Sequence, residues 1–254
     1  MVDLIIVGAG VAGMTAAIYA KRAGLSVLIF ESGVPGGQII NSEKVENYPG
    51  FTAISGRGLT ERIYHQMNNL GGKIRDEEVV AIRKLENGDF EVKTDEGKYS
   101  SHVIIMATGT KPRELPEKQK QMAGKRPILY CATCDGALYA GKTVVVVGSG
   151  NTAKHEVEYL KRICKKVYQI HHTDEIPADA EAIFVAVGRV PNTDLVRGLV
   201  KLDENGYIVA GEDCKTTVDG IFVAGDCRTK QMRQLVTATG DGAVAAKGTI
   251  DLLL

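Results

Sequence analysis

The sequence predicts an α/β fold in which one parallel-sheet domain is inserted into another. An apolar strand, a glycine-rich turn, a helix and a second strand follow one another at the start of the 254-residue chain, and the same pattern returns after residue 142. Beyond the second copy, further strands and a long apolar helix complete the first copy. Segments on both sides of the insertion should therefore form one domain.

The bulk composition is that of an ordinary soluble globular protein, with 44% hydrophobic and 24% charged residues. The 31 Lys and Arg residues balance the 31 Asp and Glu residues, so no net field draws the chain to nucleic acid or to an anionic membrane. No segment approaches the roughly 20 apolar residues of a membrane helix, and no basic segment precedes the apolar N-terminus. Five cysteines are too few and too unevenly spaced for a secreted disulfide scaffold, so we expect a cytoplasmic protein.

The first copy begins with an apolar run over 2–7. It continues with the turn Gly8-Ala9-Gly10-Val11-Ala12-Gly13, a predicted helix over 14–23 and a predicted strand over 26–30 that ends at Glu31. This order is the dinucleotide-binding motif. Gly8 makes the turn, Gly10 lets backbone N–H groups approach a pyrophosphate, and Gly13 lets the helix pack closely. Glu31 would accept hydrogen bonds from an adenosine ribose. A chance match to the glycine spacing is the alternative, and the strand, helix and acid around it disfavour that alternative.

The second copy is shorter than the first. Its turn glycines recur at an offset of 140 as Gly148 and Gly150, with Ala153 at the third position and a predicted strand over 143–147 in front. The closing motif Ala107-Thr108-Gly109 recurs as Ala186-Val187-Gly188, at an offset of only 79. The second copy therefore lacks 61 positions and has room for about one βαβ unit and a final strand.

The second copy has also lost its terminal acid. His171, followed by His172 and Thr173, stands where the first copy has Glu31. An acid at this position favours NAD and a nearby arginine favours NADP, and this segment has neither. A histidine can still contact a phosphate, and a solvated strand end is the alternative interpretation.

The remaining segments complete the first domain. A turn is predicted at 204–206, strands over 207–210 and 221–224, and a long apolar helix from about residue 234 onward. We therefore expect one domain to comprise 1–113 and 190–254, and the inserted domain to comprise 114–189. The two connections between these domains contain Pro112 and Pro191 and predict a hinge.

A cysteine pair precedes the strand of the second glycine turn, in the motif Cys131-Ala132-Thr133-Cys134-Asp135-Gly136. Two cysteines separated by two residues can form a disulfide, and a thiol of lowered pKa among them is a competent nucleophile. Half of a zinc site and a pair of inert buried thiols are the alternatives. Zinc takes four ligands as a rule, and no second motif of this kind occurs, so no metal is predicted. Beside a dinucleotide-binding motif, electron transfer between a flavin and a dithiol is the stronger interpretation.

Five ordered motifs along nearly the whole chain resemble those of the low-molecular-weight thioredoxin reductases. They are Gly36-Gly37-Gln38, Glu46-Asn47-Tyr48-Pro49-Gly50, Ala107-Thr108-Gly109, the cysteine motif, and Gly225-Asp226-Cys227-Arg228 with the following Arg233-Gln234 and 237–242. The resemblance implies an FAD-dependent disulfide oxidoreductase. Its FAD-binding domain would be Rossmann-like and discontinuous, and the inserted Rossmann-like domain, here truncated, would carry the cysteine pair. It also implies a homodimer.

The resemblance further implies residue roles. The cofactor-binding residues would be Gly8, Gly10, Ala12, Gly13, Glu31, Gly37, Gln38, Asn47, Ala107, Thr108, Gly109, Gly225, Asp226, Arg233 and Gln234. Cys134 would face the flavin and Asp135 would serve as the acid or base. Cys131 would exchange electrons with the protein substrate, which is thioredoxin or a thioredoxin-like protein.

The departures from the family pattern concern the electron donor. Family members that use NADPH carry an arginine-rich stretch where this chain reads 171–177, and Lys154-His155 replaces a small apolar residue and an acid. We therefore hypothesise a donor other than NADPH. Reduced ferredoxin is the leading candidate, as in the ferredoxin-dependent flavin thioredoxin reductases. Two groups of basic residues could steer an acidic ferredoxin, although such runs are more often solvated faces. They are Lys111, Arg113, Lys118, Lys120, Lys125 and Arg126, and Lys161, Arg162, Lys165 and Lys166.

Two alternatives remain open. One is an NADPH enzyme with a minimal or artificially shortened nucleotide domain, which the retained Gly148 and Gly150 favour. The other is a flavin-binding redox sensor that passes no electrons to thioredoxin.

Overall fold

The computed structural model describes residues 1–254. In chain order the strands are β1 Val2–Val7, β2 Val27–Glu31, β3 Lys73–Asp76, β4 Val79–Lys84, β5 Phe90–Thr94, β6 Lys98–Met106, β7 Thr110–Pro112, β8 Ile128–Leu129, β9 Thr143–Val147, β10 Lys166–Ile170, β11 Ala182–Val185, β12 Arg189–Pro191 and β13 Ile221–Val223. The helices are α1 Val11–Arg22, α2 Gly56–Asn69, α3 Glu117–Ala123, α4 Ala132–Asp135, α5 Asn151–Leu160 and α6 Leu235–Leu253. No helix combines the length and the apolar character that crossing a bilayer requires.

The chain divides into two compact units. Unit 1 comprises Met1–Glu43, Tyr48–Thr110 and Pro191–Leu254, and unit 2 comprises Lys44–Asn47 and Lys111–Val190. The two segments that contain Pro112 and Pro191 are the short strands β7 and β12, which pair with each other.

Unit 1 contains a seven-stranded sheet of order β3-β2-β1-β6-β5-β4, with β13 also paired to β6. Val7 stands opposite Phe30 and Met106, and Met106 stands opposite Val223, all in parallel register. Because parallel strands end at the same edge, the residues after β1, β2, β6 and β13 meet there. Strand β6 is nine residues long, and its polar first half pairs antiparallel with β5.

The sheet of unit 1 is buried on both faces, as the apolar run over 2–7 predicts. Leu4 and Ile6 point to one face, where they pack in the cluster that contains α1 and α6 residues. Ile5 and Val7 point to the other face and join Phe30 and residues of 196–227. This alternation fixes the register of β1 and therefore the position of the turn that follows it.

Unit 2 contains a parallel four-stranded sheet of order β10-β9-β11-β8. Helix α5 covers one face through Ala153, Val157 and Leu160. The segment β9–α5–β10 is the single βαβ unit predicted from the spacing, and residues 171–181 connect β10 to β11 without a helix. The cysteine motif follows β8, so it lies at the same carboxyl edge as Gly148 and His171.

Two sequence predictions of local structure were wrong. Helix α1 begins at Val11 rather than at residue 14, because Gly10 is already its extended N-cap residue. Residues 207–210 do not form a strand. Ile208 makes single bridges to Leu202 and Arg228, since its N–H and C=O bind Cys227 and Thr229 on another segment and no ladder follows. The apolar pattern there reflects one buried side chain in the core.

Candidate functional site

The fold requires glycine at two positions of the first glycine turn, Gly8 and Gly13, but not at Gly10. Gly8 has a φ of 104°, and an added Cβ would lie 2.5 Å from the Ala107 carbonyl oxygen. A Cβ at Gly13 would lie 2.0 Å from the carbonyl oxygen of Gly8. Gly10 has an ordinary φ of −71°, and the nearest atom to an added Cβ is the Gly37 Cα at 4.0 Å. Neither packing nor backbone strain demands glycine at position 10, which fits the close approach of a pyrophosphate at the start of α1.

Glu31 is fixed beside this turn. Its Oε2 accepts a 2.9 Å hydrogen bond from the Ala9 N–H, between the first two glycines. The Ala9 carbonyl in turn accepts from the Gly36 N–H at 2.9 Å, and Gly10 and Gly36 form a bridge. The turn, the acid and the segment that carries Gly37 and Gln38 are therefore adjacent, as a dinucleotide site requires.

The ends of β6 and β13 border the same turn. Gly225 has a φ of 83°, and a Cβ there would lie 3.1 Å from the Ala12 Cβ. Thr108 donates from Oγ1 to the Asn192 carbonyl at 2.5 Å, and the Asn192 Nδ2 donates back to the Thr108 carbonyl at 2.9 Å. The structure thus brings 8–13, 31, 36–38, 107–109 and 225–226 to one edge of the unit 1 sheet. Their contacts with a bound cofactor stay predictions.

A buried charge cluster that the sequence analysis missed lies behind Gly225. The Asp241 carboxylate accepts from the Gly225 N–H at 3.0 Å, from Arg228 at 3.0 Å and from the Lys230 Nζ at 2.7 Å. Burial alone would raise the pKa of Asp241. The hydrogen bonds from Arg228 and Lys230 outweigh burial, so the pKa of Asp241 is lowered. The cluster therefore holds the loop after β13 in one conformation.

Arg233 and Gln234 also shape this loop. The Arg233 guanidinium donates to the carbonyls of Asp226, Arg228 and Lys230, at 3.2, 3.1 and 3.4 Å, and stacks over the Tyr207 ring at 4.1 Å. Gln234 is the N-cap of α6, where it forms a capping box with Thr237. Asn47 belongs to the segment Lys44–Asn47, which groups with unit 2, whereas the other predicted cofactor residues lie in unit 1.

The cysteine pair is a disulfide at the start of α4. Cys131 is the N-cap residue and Cys134 lies one turn later, with Cα atoms 5.3 Å apart and both side chains half-buried. The N–H groups of Cys134 and Asp135 donate to the Cys131 carbonyl. Gly136 seats this helix on α5, because a Cβ there would lie 3.0 Å from Leu160. A disulfide that is accessible and sits on a short helix is suited to thiol–disulfide exchange.

Two carboxyl groups accompany the disulfide within unit 2. Burial raises the pKa of Asp135, which follows Cys134. Glu156, on α5, accepts through Oε1 from the Ala132 N–H at 3.5 Å. Burial raises the pKa of Glu156 to about 7, against the Ala132 hydrogen bond and the charge of Arg189. Glu156 was not among the site residues predicted from the sequence. Its position on the apolar face of α5, three residues after Ala153, is the signal that could have identified it.

The second glycine turn repeats the geometry of the first in part. Gly148 has a φ of 149°, and a Cβ there would lie 2.4 Å from the Ala186 carbonyl oxygen. An added Cβ at Gly150 meets nothing, and its φ is an ordinary −76°. At the end of β10, the His171 N–H donates to the Asp174 carboxylate at 2.7 Å. A carboxylate of the chain thus stands at the strand end where a nucleotide phosphate would need cations.

Several of the basic residues in the predicted patch have other partners. Lys120 pairs with Glu114 at 2.6 Å. Arg126 donates to the carbonyls of Met122, Ala123 and Pro177, so it holds the connection over 171–181 in place. The side chains of Lys111, Arg113, Lys118 and Lys125 are exposed. No group of three or more His, Cys, Asp or Glu side chains is placed to hold a metal ion.

Comparisons with known proteins agree on one family. Residues 2–181 and 177–242 match the pyridine nucleotide-disulphide oxidoreductase family. A thioredoxin reductase of Listeria innocua is 35% identical over 294 aligned positions, which cover 96% of this chain and 92% of that protein. Since 294 positions exceed the 254 residues of this chain, the relative carries residues inside the aligned region that this chain lacks.

Solved structures of thioredoxin reductases also superpose on this chain. The thioredoxin reductase of Streptococcus pyogenes superposes with a TM-score of 0.91 at 32% identity, covering 100% of this chain and 98% of that one. A ferredoxin-flavin thioredoxin reductase of Clostridium acetobutylicum has a TM-score of 0.64 at 28% identity, with 99% and 98% covered.

Proposed function

The chain belongs to the pyridine nucleotide-disulphide oxidoreductase family, and on that premise we propose that it is a flavoprotein thioredoxin reductase. The observation that carries the proposal is the Cys131–Cys134 disulfide, half-buried on α4 in a chain whose other unit holds a dinucleotide-binding turn. The two units correspond to an FAD-binding domain and an inserted domain that carries the redox disulfide.

The residues of unit 1 fit FAD at the open position Gly10, with Glu31 beside the turn for the ribose of the adenosine. When bound, FAD supplies two electrons to the disulfide. The Asp241 cluster and Arg233 keep the loop at Gly225 and Asp226 in the conformation that faces the cofactor edge of the sheet. These residues thus prepare the site before the cofactor arrives.

The two cysteines of the disulfide have different roles. Cys134 receives electrons from the flavin, and Cys131 exchanges with the disulfide of thioredoxin or a thioredoxin-like protein. Asp135 holds the proton that the leaving thiolate needs, which its raised pKa favours. The protein acts as a homodimer in a reducing cytoplasm, where Cys164, Cys214 and Cys227 stay free thiols.

The electron donor is reduced ferredoxin or another low-potential carrier rather than NADPH. Three observations support this assignment: residues 171–181 contain no helix, a carboxylate from Asp174 stands at the end of β10, and the Listeria relative has residues that this chain lacks. Exposed basic residues at 111, 113, 118 and 125 supply charge for an acidic carrier.

NADPH is the second candidate donor, and one observation favours it. Gly150 begins α5 where an added Cβ would meet no atom, just as Gly10 begins α1 with only a distant neighbour. Packing does not explain a glycine there, whereas the close approach of a pyrophosphate would.

Flavin absorbance under anaerobic conditions separates the donors. The purified flavin-loaded protein is mixed with NADPH, with NADH, or with chemically reduced ferredoxin, each with oxidised thioredoxin present. We expect ferredoxin alone to bleach the flavin and to generate thioredoxin thiols. Bleaching by NADPH at a rate that supports thioredoxin reduction would instead assign the second candidate, and electron uptake without any thioredoxin thiols would identify a redox sensor.

A further inference from the structure

Glu156 is a charged residue on the buried face of α5. Ala153, Val157 and Leu160 line that face and are buried, and Glu156 lies three residues after the first and four before the last. A carboxylate on such a face is costly unless it is hydrogen-bonded or neutral. A residue kept there against this cost needs an explanation beyond packing.

The two oxygens of Glu156 have different surroundings. Oε1 accepts the long 3.5 Å hydrogen bond from the Ala132 N–H, in the residue directly after Cys131. Oε2 is buried without a hydrogen-bond partner. Helix α5 packs against α4, β9 and β10, and the ionisable groups on these elements are Asp135 and Cys134 on α4 and Lys166 and Tyr168 on β10. Cys131 precedes α4 as its N-cap residue, and the charge of Arg189 also acts on Glu156. The side chain thus joins the helix of the disulfide to α5 while keeping one oxygen in an apolar setting.

We propose that Glu156 is a positioning residue for the disulfide, which holds α4 through the Ala132 N–H and whose charge sets how readily the reduced cysteines release their protons. This proposal rests on the proposed function, and it adds Glu156 to the residues of the disulfide site. Asp135 remains the proton-holding group next to Cys134, and Glu156 acts through the helix and through its field.

The chemistry gives this charge a consequence. Reduction breaks the S–S bond with two electrons from the reduced flavin and two protons, and produces two thiols. Exchange with a substrate disulfide then requires one thiol to lose its proton, because the thiolate is the nucleophile. An ionised Glu156 opposes that loss by like-charge repulsion, whereas a protonated Glu156 does not. Since burial raises the pKa of Glu156 to about 7, the repulsion grows as the pH rises through the neutral range.

The test is the alkylation rate of Cys131 as a function of pH in the flavin-loaded protein reduced with dithiothreitol. The glutamine side chain in Glu156→Gln keeps an oxygen that can accept from the Ala132 N–H, and this side chain is neutral at every pH. We expect its Cys131 to react about threefold to tenfold faster than wild type near pH 8, where Glu156 is ionised. Near about pH 5, where wild-type Glu156 is protonated, the two rates should agree.

A matched control is Glu158→Gln, which removes the same charge from an exposed position of α5. Its alkylation rate of Cys131 should depend on pH as the wild-type rate does. Glu156→Asp keeps a carboxylate and should keep the pH-dependent repulsion. Equal Cys131 rates in wild type and Glu156→Gln at both pH values would overturn the proposal, as would an equal acceleration in Glu158→Gln. Dithiothreitol replaces flavin and thioredoxin in this experiment, so its outcome is independent of whether the protein reduces thioredoxin.

Discussion

The Asp241 Oδ2 accepts a 3.0 Å hydrogen bond from the backbone N–H of Gly225, which directly precedes Asp226. The same carboxylate is ion-paired with Arg228 and Lys230, and the side chains of all three charged residues are at most 10% exposed. A helix near the C-terminus thereby fixes the loop at the end of β13, which lies beside the glycine turn. This contact links the stability of unit 1 to the geometry of its proposed cofactor site.

Replacing Asp241 by Asn should destabilise unit 1 and weaken flavin retention. The change leaves two buried cations with no anion, and such a loss costs about 3 kcal/mol. Thermal unfolding and the flavin content of the purified protein measure the two effects. Asp251→Asn is the control, because it breaks the exposed pair with Lys247 on the same helix and should cost less than about 1 kcal/mol. Equal stability of the two variants would contradict the role given to Asp241.

The Asp241 contribution should disappear in acid. Its pKa is lowered in the folded protein, so its contribution to the free energy of unfolding is present above the unfolded value of about 3.9. The contribution is lost as the pH falls through the lower folded pKa. The difference in unfolding free energy between wild type and Asp241→Asn should therefore shrink from about pH 7 to about pH 3. A difference that stays constant over this range would show that the carboxylate charge is not its source.

Gly10→Ala and Gly13→Ala should fail in different ways. A Cβ at position 13 would lie 2.0 Å from the Gly8 carbonyl oxygen, so Gly13→Ala should destabilise the protein itself. A Cβ at position 10 meets only the Gly37 Cα at 4.0 Å, so Gly10→Ala should fold with a loss of about 1 kcal/mol or less. It should nevertheless lose FAD, which flavin titration of the apoprotein measures. Normal FAD affinity in Gly10→Ala would contradict the placement of the pyrophosphate.

Gly150→Ala tests the donor assignment within unit 2. Its added Cβ meets no atom and its φ suits alanine, so the folded protein should be unchanged. If the donor is a protein carrier, the rate of thioredoxin reduction with reduced ferredoxin should stay within about twofold of wild type, a change of less than about 0.5 kcal/mol. A selective loss of NADPH-driven turnover in this variant would assign the turn to a nucleotide and contradict our donor.

Local patterns made the first half of the site predictable from the sequence. Strand β1, its glycine turn and Glu31 depend on residues within 31 positions, and the hydrophobic period and the glycine spacing encode them directly. The cysteine motif is local in the same way. The deficit in the second copy was also predictable, because the offset between the copies falls from 140 to 79, and this difference gives the number of missing positions without any knowledge of contacts.

Other parts of the site depend on contacts between distant segments. Asp241 reaches Gly225 across 16 positions, and Glu156 reaches Ala132 across 24. Charge counting also overstated the basic patch, since it could not reveal that Arg126 is committed to backbone carbonyls. Residues 207–210 were predicted as a strand for a related reason, because the pattern shows that Ile208 is apolar but not that its backbone pairs with single residues.

The transfer of electrons through Cys131 and Cys134 is the central claim, and one anaerobic mixing experiment tests it most directly. The flavin of the loaded protein is reduced chemically and the protein is mixed with oxidised thioredoxin, while flavin absorbance and thioredoxin thiols are followed together. Chemical reduction of the wild type also reduces the Cys131–Cys134 disulfide, so the protein carries four electrons per flavin. We predict that the wild type regains the oxidised-flavin spectrum and forms four thioredoxin thiols per flavin, whereas Cys134→Ser and Cys131→Ser do neither. The account would be contradicted if the flavin of the wild type stayed reduced beside oxidised thioredoxin. It would also be contradicted if the flavin in both serine variants were reoxidised as well as in the wild type.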